Sequence, residues 1–279
     1  MKTQVKSIIS KANSQFKHPL PQRWLLPYML ALSDMFDKRW SYWINTIEKG
    51  SPLEDPIPKI NFLGQPDPET KKNLKDCVES MMCNGYNSHD SWMAFIEWLL
   101  WGLGSNHVDE FPGKVSEEIS WKWYTDFNMG LMMKFPHDYM AWGSCELANM
   151  SYSGNKNGYF PTPQHVVKMM TDMTMTEADK TKKMTDCCMG TGIMMLEASN
   201  YCLRLYGSDV DLNMVKMATV NAWLYMPWVA CPGDGWIDWN TSDDYKLTEK
   251  ILKEYQNKLN NSLPMIEYKP KLEGLSAWL

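Results

Sequence analysis

The feature that most constrains this chain lies between residues 183 and 231. There, short β-prone runs that close on glycine or aspartate alternate with amphipathic helical stretches. The runs are 183–188, 204–208 and 228–231, and the helical stretches between them are 192–203 and 211–225. Strands alternating with helices in this way predict βαβ units, and therefore a parallel sheet with helices packed on it. The turn after the first run reads Asp186-Cys187-Cys188-Met189-Gly190-Thr191-Gly192. Glycines there let the backbone approach a ligand with no Cβ in the way, and the start of the following helix presents unpaired N–H groups.

The ends of the other runs carry acids. Leu205-Tyr206-Gly207 leads into Ser208-Asp209, where a carboxylate is placed to accept hydrogen bonds from ribose hydroxyls. The third run leads into Gly233-Asp234, where a carboxylate can accept from an adenine amino group. A dinucleotide fingerprint needs a third glycine, and Met195 stands at that position. The pattern favours a nucleoside ligand without a pyrophosphate, for which S-adenosylmethionine is the first candidate.

Residues 1–134 have a different texture and read as a mostly helical domain, followed by an S-adenosylmethionine-binding domain over 135–279. Helices are predicted over 27–44, 68–83, 91–103 and 116–134, with a loop rich in Pro, Gly and Asp between the first two. Asp67, Asp90 or Ser91, and Ser116 are the candidate N-caps, and Gly104 is a candidate helix stop. Thr162 and Pro163 read as the cap and first position of a further helix. The chain also holds 14 Trp and 23 Met, several at helical spacing, which predicts a bulky core rather than a platform for stacking bases. A polar, lysine-rich helix over 244–260 reads as a solvated cover.

Composition narrows the partners. The net charge is −5, and Arg23, Arg39 and Arg204 are the only arginines among 28 basic residues. That is not the basic footprint of an autonomous DNA binder, and the commonest reader of guanine is scarce. No apolar run reaches membrane-spanning length, no leader is evident, and the odd count of seven cysteines reads as reduced thiols, which together predict a cytoplasmic protein. The five histidines are scattered and form no zinc-ligand spacing, so no metal is expected. Cys187 and Cys188 read as packed side chains, and residues 180–183 as a solvated turn.

Four motifs in order carry a resemblance. Asp138 and Gly143 with Glu146 come first, then Gly158-Tyr159-Phe160-Pro161-Thr162-Pro163, then Asp186 with Gly190-Thr191-Gly192, then Tyr206-Gly207-Ser208-Asp209. Together they resemble the adenine-specific DNA methyltransferases, most of all the modification subunits of type I restriction systems. The resemblance implies an α/β fold, with a helical N-terminal domain followed by a truncated class I methyltransferase (Rossmann-like) sheet. It implies S-adenosylmethionine as cofactor and DNA as partner. Tyr159, Phe160, Thr162 and Pro163 would flank the methionine end of the cofactor. Asp186, Gly190, Thr191 and Gly192 would form its loop, Asp209 would hold its ribose and Asp234 its adenine.

The chain departs from that family in two places. Cys187 stands where proline usually follows the aspartate, and no Pro-Pro dipeptide occurs among 16 prolines. The family's Asn, Asp or Ser followed by Pro-Pro and an aromatic residue accepts from the target amino group and stacks on the flipped base. The nearest downstream stretch, Met265-Ile266-Glu267-Tyr268-Lys269-Pro270, offers a lysine, which cannot accept. The expectation is a cofactor-binding chain whose base clamp is divergent, missing or supplied by a partner subunit or second copy that also covers the open sheet edge. The alternative is a pseudo-methyltransferase that senses or sequesters the cofactor or docks onto a modification complex.

Overall fold

The structure, a computed structural model, describes residues 20–149 and 160–231. In chain order its helices are α1 (Leu26–Phe36), α2 (Arg39–Lys49), α3 (Pro68–Met82), α4 (Ser88–Leu103), α5 (Glu117–Asp126), α6 (Met129–Lys134), α7 (Tyr139–Glu146) and α8 (Gln164–Thr174). A single 3-10 turn, Glu177–Asp179, then leads into β1 (Lys183–Asp186), α9 (Ile193–Ala198), β2 (Arg204–Gly207), α10 (Leu212–Tyr225) and α11 (Pro227–Ala230). Among the described residues the result is a mostly helical α/β arrangement with a two-stranded parallel sheet, Lys183 lying opposite Arg204 and Asp186 opposite Gly207. Among the described residues, no helix is long and apolar enough to cross a membrane.

Local chemistry explains most boundaries. The Asp67 carboxylate accepts from Thr70 N at 2.9 Å and starts α3, and Ser116 Oγ accepts from Ile119 N at 3.3 Å and starts α5. Gly104, at φ 86°, ends α4 as expected. Helix α4 starts earlier than predicted because Asn87, not Asp90 or Ser91, caps it by accepting from Asp90 N at 2.8 Å.

Two predicted helices are each two helices. The 27–44 stretch breaks at Lys38, which takes a left-handed φ of 59°. Asp37 explains the break: its Oδ1 accepts from Ser33 Oγ at 2.6 Å and from Arg39 N at 2.8 Å, which replaces helical backbone bonding with side-chain bonding. The 116–134 stretch breaks between Asp126 and Met129. The Asn73 side chain of α3 meets both freed backbone groups there, donating to Asp126 O at 2.7 Å and accepting from Asn128 N at 2.9 Å.

The predicted third strand at 228–231 is a helix instead. Pro227 sits in the first turn of α11, where its fixed φ suits helix initiation, and Cys231 N closes onto Pro227 O at 2.8 Å. Burial of Trp228 against the edge of Trp43, whose Nε1 donates to Cys231 O at 2.7 Å, outweighs the β-prone composition. Helix α9 is also shorter than the predicted 192–203 stretch, because a turn replaces its last residues. The helix expected over 244–260 and the 265–270 stretch lie outside the described residues.

The tryptophans build the core, as predicted. Trp43, Trp92, Trp98, Trp123, Trp223 and Trp228 are fully buried in one cluster that runs from the helical half into the α/β half. Some indole N–H groups find acceptors, Trp40 donating to Trp223 O at 2.9 Å and Trp123 to Cys77 O at 2.7 Å, whereas the buried Nε1 atoms of Trp24 and Trp228 meet none. Gly143 of α7 lets that helix lie on Trp92, since a Cβ there would come within 2.3 Å of the indole ring.

Arg39 joins the two halves from a fully buried position. Its Nε donates to Pro58 O at 2.8 Å, Nη1 to Ser199 Oγ and Tyr225 O at 2.7 Å each, and Nη2 to Asn200 Oδ1 at 2.6 Å. Burial lowers the guanidinium pKa to about 10, so it stays charged at neutral pH, surrounded by acceptors.

Candidate ligand cleft

The parallel pairing continues past the ends of β1 and β2 and sets their acids side by side. Ser208 N donates to Asp186 O at 2.9 Å, and Met189 N donates to Ser208 O at 3.1 Å. Between them the chain turns through two glycines in left-handed backbone, Gly190 at φ 54° and Gly192 at φ 85°. At Gly192 the nearest neighbour a Cβ would meet is Ala218 Cβ at 3.5 Å, an ordinary contact, so the backbone conformation and not space demands glycine.

Above this turn lies a cleft of about 210 Å³. Phe160, Thr162, Asp186, Gly190, Thr191 and Asp209 of the predicted set all line it. Gly192 shapes the turn beneath. Pro163 occupies the cap position of α8 beside Thr162, so the helix begins at Gln164, one residue later than expected. Tyr159 and Asp234 lie outside the described residues. The sequence reading did not single out the remaining walls, among them Met189, Ile193, Met194 and Met214, which are apolar, and Asp211. Phe160, at 80% exposure, forms an uncovered apolar lip.

Three carboxylates, Asp186, Asp209 and Asp211, therefore face one hollow, and no Lys, Arg or His is among its described lining residues. Such a lining attracts a cation and repels a phosphate. Asp186 Oδ1 accepts from Cys188 N at 3.1 Å. Asp209 spans the turn: Oδ2 accepts from Gly190 N at 2.9 Å and Oδ1 from Asp211 N at 2.9 Å. Each of those oxygens keeps a second lone pair for a ligand hydroxyl.

The turn is anchored from behind by residues to which sequence reasoning gave no role. Asp138, buried at the start of α7, accepts from Thr191 Oγ1 at 2.6 Å, from Asn221 Nδ2 at 2.9 Å and from Ala141 N at 2.9 Å. Asn221 Nδ2 also donates to Thr191 O at 2.9 Å. Burial pushes the Asp138 carboxyl above the ordinary carboxylate range, while its hydrogen bonds oppose the rise. Asp138 opens the first of the four resemblance motifs, so a signal existed. Asn221 lies mid-helix with no local mark.

The lip is anchored in a similar way. Gln164 Nε2 donates to the Glu197 carboxylate, which burial raises, and Asn200 Nδ2 approaches the same carboxylate at 3.4 Å. Asn200 in turn accepts from Arg39, so the start of α8 is tied through α9 to the helical half.

Two further expectations meet the structure here. Cys187 and Cys188 are exposed, not packed, because the turn that positions Gly190 carries them outward. In the 180–183 turn, Lys180 Nζ is docked on Leu53 O at 2.8 Å and Asp55 O at 2.6 Å, and Lys183 lies 4.1 Å from the Tyr206 ring centroid. No group of metal-ligating side chains occurs among the described residues.

No curated protein and no solved structure matches the chain. Residues 147–226 match the family model of N-6 DNA methylase, a segment that holds β1, the glycine turn, β2 and the predicted residues lining the cleft, and that leaves Asp138 outside. In the part that builds the cleft, this chain is similar to N-6 DNA methylases.

Proposed function

We propose that the cleft binds S-adenosylmethionine and that the chain serves adenine-directed methylation of DNA. One observation carries this reading: three carboxylates and a left-handed glycine turn converge on a single hollow with apolar walls. S-adenosylmethionine offers a cationic sulfonium, an ammonium group, a ribose and an apolar purine face, and the residues present suit each of them. Asp209 would accept from the ribose, Asp186 and the glycine turn would meet the amino-acid part, and Phe160, Thr162 and Pro163 would flank the methionine end. Tyr159 and Asp234 complete the set in the resemblance. The bound group would supply an activated methyl. The chain's own residues would orient it, exclude phosphate-bearing nucleotides and shield the sulfonium from water.

Transfer to adenine also needs a clamp on the base, and the absence of Pro-Pro from this chain supports a second reading, in which the cofactor is bound without transfer by this chain alone. Calorimetry tests the first claim. Heat on adding S-adenosylmethionine and none with a nicotinamide dinucleotide supports the cleft as read, whereas equal binding of both, or none, contradicts it. Methyl-labelled cofactor incubated with A-rich DNA then separates the two readings: label on DNA means that the chain transfers methyl, and its absence, with binding intact, means that the clamp lies elsewhere.

A further inference from the structure

The glycine turn carries two side chains that cofactor binding does not use. Cys187 and Cys188 are adjacent, both exposed, and their thiols lie close enough to interact electrostatically. Cys188 lines the cleft between Asp186 and Met189, and its backbone N–H is the one held by Asp186 Oδ1. The buried cysteines are different in kind: Cys77 is enclosed in the helical core and Cys202 Sγ donates to Lys182 O at 2.6 Å.

Two thiols on neighbouring residues, turned toward the same solvent, present their sulfurs to one acceptor atom at high effective concentration. We infer that Cys187 and Cys188 form a dithiol site for a trivalent, thiophilic ligand of the organoarsenical class, and that its occupation obstructs the cleft. The capture is a condensation. A hydrated monosubstituted arsenical, R–As(OH)2, exchanges each As–O bond for an As–S bond, and each thiol proton leaves with the departing hydroxide as water. Two waters are released and arsenic stays trivalent, so no oxidant or reductant is needed. The neighbouring Cys187 thiol, with the negative Asp186 and Asp209, holds the Cys188 thiol above the usual thiol range.

Capture stands on the thiols alone, while the obstruction rests on the cofactor reading of the cleft, and the experiment separates them. The full chain is incubated with phenylarsine oxide and its intact mass recorded. One arsenical per chain is expected, lost in both C187S and C188S, kept in C83S and C145S, and removed by a small dithiol but not by a monothiol. Retention in C188S, or loss in C83S, overturns the site. The loaded protein is then titrated with S-adenosylmethionine, and affinity is expected to fall by at least about tenfold and to return after dithiol treatment. Unchanged affinity overturns the obstruction. Failure of the untreated chain to bind S-adenosylmethionine overturns the cofactor reading and the obstruction with it, and leaves the mass result to decide the dithiol site.

Discussion

Asp138 gives the sharpest test of how the glycine turn is held. Asp138→Ala removes the acceptor from the Thr191 hydroxyl, from Asn221 Nδ2 and from Ala141 N. Asn221 keeps Thr191 O, so its loss is partial. A lost cap on α7 costs about 1 kcal/mol, and a buried hydroxyl stripped of its acceptor about 1–3 kcal/mol. The sum is about 2–4 kcal/mol of stability. Asp138→Asn behaves differently. Its Oδ1 still accepts from Ala141 N and Asn221 Nδ2, and its new NH2 faces Thr191 Oγ1, a hydroxyl able to accept as well as donate. The buried charge is gone, so the cost is within about 1 kcal/mol.

Urea unfolding at neutral pH measures both variants. The pH dependence adds a second arm. The folded carboxyl is raised above its unfolded value of 3.8, so the native state binds the proton more tightly than the unfolded chain does. Its contribution is present below the ordinary carboxylate range and lost as pH rises through the raised folded value. The wild type should therefore lose stability relative to Asp138→Asn as pH rises above the ordinary carboxylate range. An Asn variant as damaged as the Ala variant, with no difference in pH slope, would refute the reasoning, because the charge itself would then be required.

Other outcomes follow from the same geometry. Asp209→Ala should weaken S-adenosylmethionine binding by about 1–3 kcal/mol through lost charge-assisted hydrogen bonds, and calorimetry showing unchanged affinity would displace the ribose site. Gly192→Ala places a Cβ on backbone at φ 85°, so melting should show a loss of about 1 kcal/mol with cofactor affinity reduced alongside it. Arg39→Met leaves Ser199 Oγ and two carbonyls without this donor, while Asn200 Oδ1 keeps Ile60 N, and should cost about 3–5 kcal/mol in urea unfolding, whereas a cost under about 1 kcal/mol would mean that the halves are held by packing alone.

The turn chemistry was legible in the sequence because it is local. Asp67 and Ser116 cap their helices within three residues, and Gly104, Gly190 and Gly192 mark backbone that only glycine adopts easily. The cleft was legible for the same reason, since parallel strands put their C-terminal turns on one edge. What escaped depends on distant partners. Nothing near residue 127 announces a break whose backbone groups are met by Asn73, and nothing near 228 reveals that Trp43 waits for Trp228. Asn221 carries no local mark because its meaning lies in Asp138 and Thr191. Cys187 and Cys188 misled because cysteine is ordinarily buried, whereas the geometry of this turn carries both side chains outward.

A crystal structure of the chain soaked with S-adenosylmethionine decides the central matter. The predicted result puts the nucleoside between the side chains of Asp186 and Asp209, with its ribose on Asp209 and its amino-acid end beneath Phe160. Density for the molecule on another face, with this hollow holding only water, would contradict it.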